Sequence, residues 1–181
     1  MLEEEIFQAI RTLTAILRSK RVPYVLVGAF AFGALGGARG TLDVDFMIMG
    51  DSSALGSIRD LAVERGFEVD LTWARFNPLL KGMQTRLLFH GLPVDILLPR
   101  DDHDEKTLER RKRKRIGGSM LWFPTPEDFI LQKAKVGRPR DFEDALIILK
   151  YHCKSIGRTY LDHWAKIVGA SEEVNYLLSL V

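Results

Sequence analysis

Two aspartates, Asp43 and Asp45, interrupt the apolar run Leu42-Asp43-Val44-Asp45-Phe46-Met47-Ile48-Met49. On a strand alternate residues share a face, so both carboxylates point one way while Val44 and Phe46 point the other. Carboxylates this close repel each other unless a proton or a cation stands between them. A hard divalent cation such as Mg²⁺ takes oxygen ligands of this kind together with substrate phosphates. A third acid, Asp95, lies in a second apolar run, Leu92-Pro93-Val94-Asp95-Ile96-Leu97-Leu98. A lone aspartate inside such a strand is costly to bury unless it is paired or bound to metal. Placed beside the first two, it completes a three-carboxylate cluster.

The elements that must position these groups are legible on either side. Residues 24–27 form a short apolar strand that breaks at Gly28. A turn that leaves a strand and opens a helix exposes backbone N–H groups suited to phosphate. A short helix over 29–35 ends at Gly36-Gly37, and a second strand covers 42–49. Arg39 and Thr41 lie directly before the acidic pair. A guanidinium there can grip phosphate oxygens bidentately or salt-bridge the carboxylates, and both readings stay open. Before this stretch, Ile6, Ile10, Leu13 and Leu17 recur at helical spacing over 2–19. After it come a helix over 52–65, a strand over 67–72, a loop over 73–82 and two strands, 84–90 and 93–98, around a turn at Gly91-Leu92. A helix over 101–112 and short strands within 116–123 follow. Thr125-Pro126-Glu127-Asp128 starts the first of four C-terminal helices, and Asp141 reads either as the N-cap of the second or as a residue that orients the neighbouring cations.

The spacing of Gly28, Arg39, Thr41, Asp43 and Asp45, with a later strand acid, resembles the nucleotidyltransferase superfamily of the DNA polymerase β type. The likeness is greatest to small members related to abortive-infection and toxin–antitoxin nucleotidyltransferases. It implies an α+β fold, a twisted mixed β-sheet flanked by helices with a C-terminal helical extension. Residues 1–123 would be the α/β core and 124–181 the helical region closing the cleft. It implies Mg²⁺ (or Mn²⁺) held by Asp43, Asp45 and Asp95, an NTP as substrate, and Asp95 as proton acceptor. Ala29 follows Gly28 where the family more often has Gly or Ser, so a phosphate contact there must come from the backbone N–H. Residues 126–133, followed by Arg138-Pro139-Arg140-Asp141, resemble a second motif of the same transferases. By that resemblance Lys133 is the cation for the β- or γ-phosphate, with Arg140 and Asp141 assisting.

Bulk composition agrees with a globular protein: 46% of 181 residues are hydrophobic and 28% charged. One cysteine, Cys153, excludes an internal disulfide, no apolar run is long enough to span a bilayer, and the acidic start is unlike a secretory signal. A cytoplasmic, non-membrane protein is the expectation. Charge is divided along the chain: residues 1–105 carry 11 Lys/Arg against 15 Asp/Glu, and residues 106–181 carry 15 against 9. An acidic half that gathers metal and a basic half that gathers phosphate suit a nucleotide substrate. The run Arg110, Arg111, Lys112, Arg113, Lys114, Arg115 reads either as a nucleic-acid contact or as a solvated helix end. Four histidines at non-ligand spacing and one cysteine argue against zinc.

The expected activity is transfer of a nucleotide from an NTP to a hydroxyl of RNA, protein or a small molecule, with release of pyrophosphate. The alternative keeps the fold as a weakly active or silent nucleotide-binding regulatory partner in a toxin–antitoxin-like system.

Overall fold

The computed structural model describes residues 2–38, 40 and 43–181. Arg39 and Thr41, expected beside the acidic pair, lie outside the described residues, as do Met1 and Leu42. Helix α1 (Leu2–Ser19) begins with Glu3, Glu4 and Glu5 and ends with Arg18, the polarity that its dipole favours. It leads into β1 (Tyr24–Leu26), α2 (Gly28–Ala34), β2 (Val44–Ile48) and α3 (Ser52–Val63). Next come β3 (Phe67–Val69), α4 (Leu71–Phe76), a 3₁₀ turn (Pro78–Leu80), β4 (Gln84–Phe89) and β5 (Leu92–Leu97). Helix α5 (Asp102–Arg110) precedes a hairpin of β6 (Lys112–Ile116) and β7 (Ser119–Phe123). Four helices close the chain: α6 (Pro126–Val136), α7 (Pro139–His152), α8 (Arg158–Ile167) and α9 (Ser171–Ser179). This is the α+β architecture expected. Among the described residues no helix is long and apolar enough to cross a membrane.

The main sheet has the order β1-β2-β5-β4-β3, parallel between β2 and β5 and antiparallel elsewhere. Its two faces differ because side chains alternate. Tyr24, Leu26, Val44, Phe46, Ile48, Val94 and Ile96 point into one buried core, joined there by Ile10 and Leu13 of α1 and Leu55 and Ile58 of α3. That core also takes in Phe129, Ile148, Leu161 and Val174 from the C-terminal helices. The opposite face carries a smaller apolar cluster of Val25, Val27, Met47 and Leu108. At one end of that face stand the carboxylates.

Four local expectations are corrected. The strand over 67–72 stops at Val69 because Asp70 accepts a hydrogen bond from Trp73 N–H (2.8 Å) and caps α4, in place of the expected loop. The β4–β5 turn is His90-Gly91, one residue earlier than expected, with φ of 50° and 83°. Positive φ at both central residues is the tight turn that matches strand twist. The helix expected to 112 ends at Arg110, and most of the basic run is strand β6. A strand sends alternate cations to opposite faces, which relieves the repulsion that a helix end would concentrate. Finally, α7 starts at Pro139, so Asp141 lies within its first turn and is not the cap.

Candidate active site

The parallel register of β2 and β5 sets Asp45 directly against Asp95. Asp43, two residues before Asp45, is near enough for its charge to act on it. The three acids interact: burial pushes the Asp45 carboxyl from 3.8 up to about 6, and the Asp95 and Asp43 carboxylates add to the rise. Arg86 and Lys133 act against it. A cluster of hard oxygen donors in which the central Asp45 carboxyl is raised by its neighbours fits a divalent cation. Asp43, Asp45 and Asp95 are the groups on hand to hold one.

Asp95, 4% exposed, has a partner that sequence reading missed. Arg86 of β4 grips both its oxygens, Nε to Oδ1 at 2.8 Å and Nη2 to Oδ2 at 2.6 Å. The antiparallel register places Arg86 opposite Asp95, and Trp73 of α4 stacks on the guanidinium at 5.5 Å. The signal was available in the hairpin: strands folded about His90-Gly91 bring residues 86 and 95 level. A turn at Gly91-Leu92 sets Leu88 there instead.

Gly28 opens α2 with φ of 62°, a left-handed conformation that suits glycine. A Cβ added there would overlap Asp45 Oδ2. The backbone turn therefore packs directly against the central carboxylate. Ala29 is buried in the first turn of α2.

Lys133 of α6 is near enough for its charge to act on Asp45. It lines a cavity of about 400 Å³ with Gly28, Met47 and Leu97 on the sheet side and Phe129 and Asp141 on the helix side. That is the size of a small-molecule site. The carboxylates of Asp43, Asp45 and Asp95 adjoin that cavity through Gly28 and are not among its lining residues. Lys133 Nζ is held by Asp141 Oδ1 at 2.8 Å and Asp144 Oδ2 at 3.0 Å. Asp141 thus acts as an orienting partner of the lysine. Arg140 is exposed in the first turn of α7, and it is Arg138 that lines the cavity.

The far wall of the cavity holds a second acidic group. One ligand atom each from Asp101, His103 and Asp104 lie within 4.8 Å of one another. Lys135 already bridges the two carboxylates, at 2.8 Å from each, and Asp101 caps α5. An ammonium fills the place a cation would take. His103 is fully buried, with Nε2 3.3 Å from Asp128 Oδ1. Burial pushes the Asp128 carboxyl up, but the nearby His103 ring, hydrogen bonds from Tyr160 and Thr125 and the Arg110 charge outweigh it, and the net shift is down.

The basic run divides. Arg110 is committed to the structure: Nε lies 3.1 Å from Asp128 Oδ2, and the guanidinium sits 3.8 Å over the Tyr160 ring. Lys114 Nζ donates to the Ala34 carbonyl at 2.5 Å. Arg111 and Arg113 stack on Trp122. Lys112 and Arg115 are exposed.

A family model described as "Nucleotidyl transferase of unknown function (DUF2204)" matches residues 6–176. No curated protein sequence matches the chain. Among solved structures, the antibiotic-resistance factor ANT(2'')-Ia is similar with a TM-score of 0.56 and 16% identity, over 93% of this chain and 91% of that one. The lincosamide antibiotic adenylyltransferase LnuA, solved with lincomycin bound, gives 0.54 and 15%, over 82% and 96%. An antigenic nucleotidyltransferase-like protein from Paracoccidioides brasiliensis gives 0.57 and 16%, over 94% and 91%. At these identities the likeness is one of fold.

Proposed function

The chain belongs to the DUF2204 family of nucleotidyl transferases, and from that premise we propose that it moves a nucleotidyl group from an NTP to a hydroxyl acceptor, releasing pyrophosphate. The observation that carries this reading is the level pairing of Asp45 and Asp95 on β2 and β5, within reach of the Lys133 charge and next to Gly28, which lines a cavity of about 400 Å³ together with Lys133. In this reading Asp43, Asp45 and Asp95 hold a divalent cation. When bound, that cation lowers the pKa of the attacking hydroxyl and neutralises the triphosphate.

The rest falls to the chain's own groups. Lys133, fixed by Asp141 and Asp144, meets the β- or γ-phosphate. The Gly28–Ala29 backbone, without a side chain at Gly28, lets the phosphates approach Asp45. The acceptor oxygen bonds to the α-phosphorus as the bond to the bridging oxygen breaks, and pyrophosphate departs with that electron pair. The acceptor proton passes to Asp95, which requires Arg86 to give up one of its two oxygens. A second cavity of about 390 Å³, lined by Leu71, Trp73, Pro78 and Gln84, adjoins the Trp73–Arg86 stack and is the approach for the acceptor. The adenylyltransferase activity of LnuA makes ATP the first donor to test.

The experiment is incubation with each α-labelled NTP, with and without Mg²⁺, and with RNA, cell protein and a panel of hydroxylated small molecules. Label transfer lost in Asp43→Asn and Asp45→Asn is the expected result. The bidentate hold of Arg86 on Asp95 favours a second reading, a nucleotide-binding partner without transfer. Metal-dependent NTP binding with no labelled product from any acceptor supports that one. No NTP binding at all defeats both.

A further inference from the structure

The outward face of the β6–β7 hairpin is built of cations. Lys112 pairs with Phe123 and Lys114 with Leu121, and both of those apolar partners are buried, so that face of the hairpin turns inward. By alternation Arg111, Arg113 and Arg115 share the other face with Met120 and Trp122. Trp122 fixes two of these guanidinium groups, Arg111 at 4.6 Å from its ring centre and Arg113 at 5.2 Å. The end of α1 adds Arg18 and Arg21. Arg18, Arg21, Arg111, Arg113 and Trp122 line a hollow of about 350 Å³ with Tyr24, Arg115 lies beyond it on the same face, and Arg18 and Met120 continue it into a second hollow of about 200 Å³.

Arg111 Nη1 donates to the Leu108 carbonyl, but none of these cations meets a carboxylate of the described residues. Among the described residues, Arg18, Arg21, Arg111, Arg113 and Arg115 form no salt bridge. Arg111 Nε is buried with no hydrogen-bond partner, and burial holds that guanidinium below its usual range. Arg21 holds a left-handed backbone, φ 54°, that a non-glycine residue rarely adopts. Five cations gathered without a carboxylate partner, Arg113 and Arg115 among them exposed, form a surface suited to an external anion.

We propose that this arginine face, formed by Arg18, Arg21, Arg111, Arg113 and Arg115 around Trp122, binds the sugar–phosphate backbone of single-stranded RNA. Guanidinium forks stacked on an aromatic ring are pre-organised for bidentate phosphate contact. Alternate strand residues stand about 6.6 Å apart, a regular row suited to a repeating polyanion. A membrane surface fits less well, since insertion needs an apolar stripe and the only large exposed apolar residue on this face, among those described, is Met120. The face lies at the Tyr24 end of β1, about 13 Å along the strand from Gly28. It is therefore separate from the carboxylate site, and the proposal does not depend on the transferase reading.

The test is fluorescence anisotropy of a labelled, unstructured RNA of about 12 nucleotides, without NTP and in EDTA, across a salt series. With about four phosphate contacts, affinity should fall about fifty-fold between 50 and 200 mM salt. In Arg113→Ala/Arg115→Ala, whose side chains are exposed, the fall should shrink to about sevenfold. Arg18→Ala/Arg21→Gly, in which glycine relieves the backbone at position 21, should do the same without loss of melting temperature. Asp45→Asn should leave RNA binding unchanged, which keeps this result distinct from failure of the catalytic reading. Absence of binding at 50 mM salt overturns the proposal. So do a salt slope equal in wild type and both arginine variants, displacement by polyglutamate at equal charge, and binding to phosphatidylserine vesicles in preference to the oligonucleotide.

Discussion

Asp45→Asn should make the metal-free protein more stable while it removes transfer. The Asp45 carboxyl is raised from 3.8 to about 6 by burial and by the neighbouring Asp95 and Asp43 charges. The ionised form is therefore disfavoured in the fold relative to the unfolded chain. Well below 3.8 the group is protonated in both states and costs the fold nothing; the cost grows as pH rises from there and levels off above about 6. At about 1.4 kcal/mol per pKa unit the ceiling is about 3 kcal/mol. Solvent relaxation around a partly exposed group makes about 2 kcal/mol the working figure. Asparagine keeps the shape against Gly28 and removes the charge. For a chain of this length the gain is about 4–8 °C in melting temperature. The assay is thermal unfolding in EDTA at pH 8 and pH 4, for wild type and variant. A gain at pH 8 that shrinks severalfold at pH 4 is expected. Mg²⁺ at pH 8 should then stabilise the wild type and leave the variant unmoved. An unchanged or lowered melting temperature at pH 8, or an equal gain at both pH values, would refute the claim that uncompensated carboxylate charge is stored at this site.

Gly28→Ala should cost about 1–3 kcal/mol, because it forces an L side chain into positive φ and onto Asp45; nucleotide affinity by calorimetry should fall with it. Arg86→Ala removes a bidentate partner from the nearly buried Asp95 and should cost about 2–4 kcal/mol in urea unfolding. Lys133→Met leaves Asp141 and Asp144 without their shared cation and should weaken NTP affinity in titration calorimetry by about tenfold or more, with Asp141→Asn in the same chain restoring part of the lost stability. Since Arg86 and Lys133 both lower the Asp45 carboxyl, the pH below which Mg²⁺-dependent NTP binding fails should move up in either variant.

What the sequence made legible, and what it hid, follows from which interactions are local. Asp43 and Asp45 announce themselves by period-two spacing in an apolar strand, and Gly28 by ending a strand before small residues. Those features depend on near neighbours. Arg86 was hidden because its meaning depends on hairpin register, and a one-residue error in the turn sets Leu88 against Asp95 in its place. Asp141 was ambiguous for the same kind of reason. A first-turn aspartate is a good cap, and only the approach of α6 to α7 turns it toward Lys133. The basic run looked like a helix end because Arg110 does end one. The strand beyond it is set by Gly117 and Gly118, both at positive φ, and by the buried Leu121 and Phe123 opposite. Helix α4 was missed although Asp70 caps it, because the alternation through Val69 extended the strand past its real end.

The sheet order bears on how the molecule can move. Asp45 and Asp95 are fifty positions apart in sequence, yet they ride on adjacent inner strands, each flanked on both sides by another. Inner strands do not fray, so mutual repulsion there cannot be shed by a local opening and persists until the whole domain comes apart. Slow amide exchange is expected along β2 and β5, with faster exchange along α6 and α7. The acidic half is in effect an anvil, and any opening or closing around a bound triphosphate has to be made by α6, which carries Lys133, and by α7, which holds it.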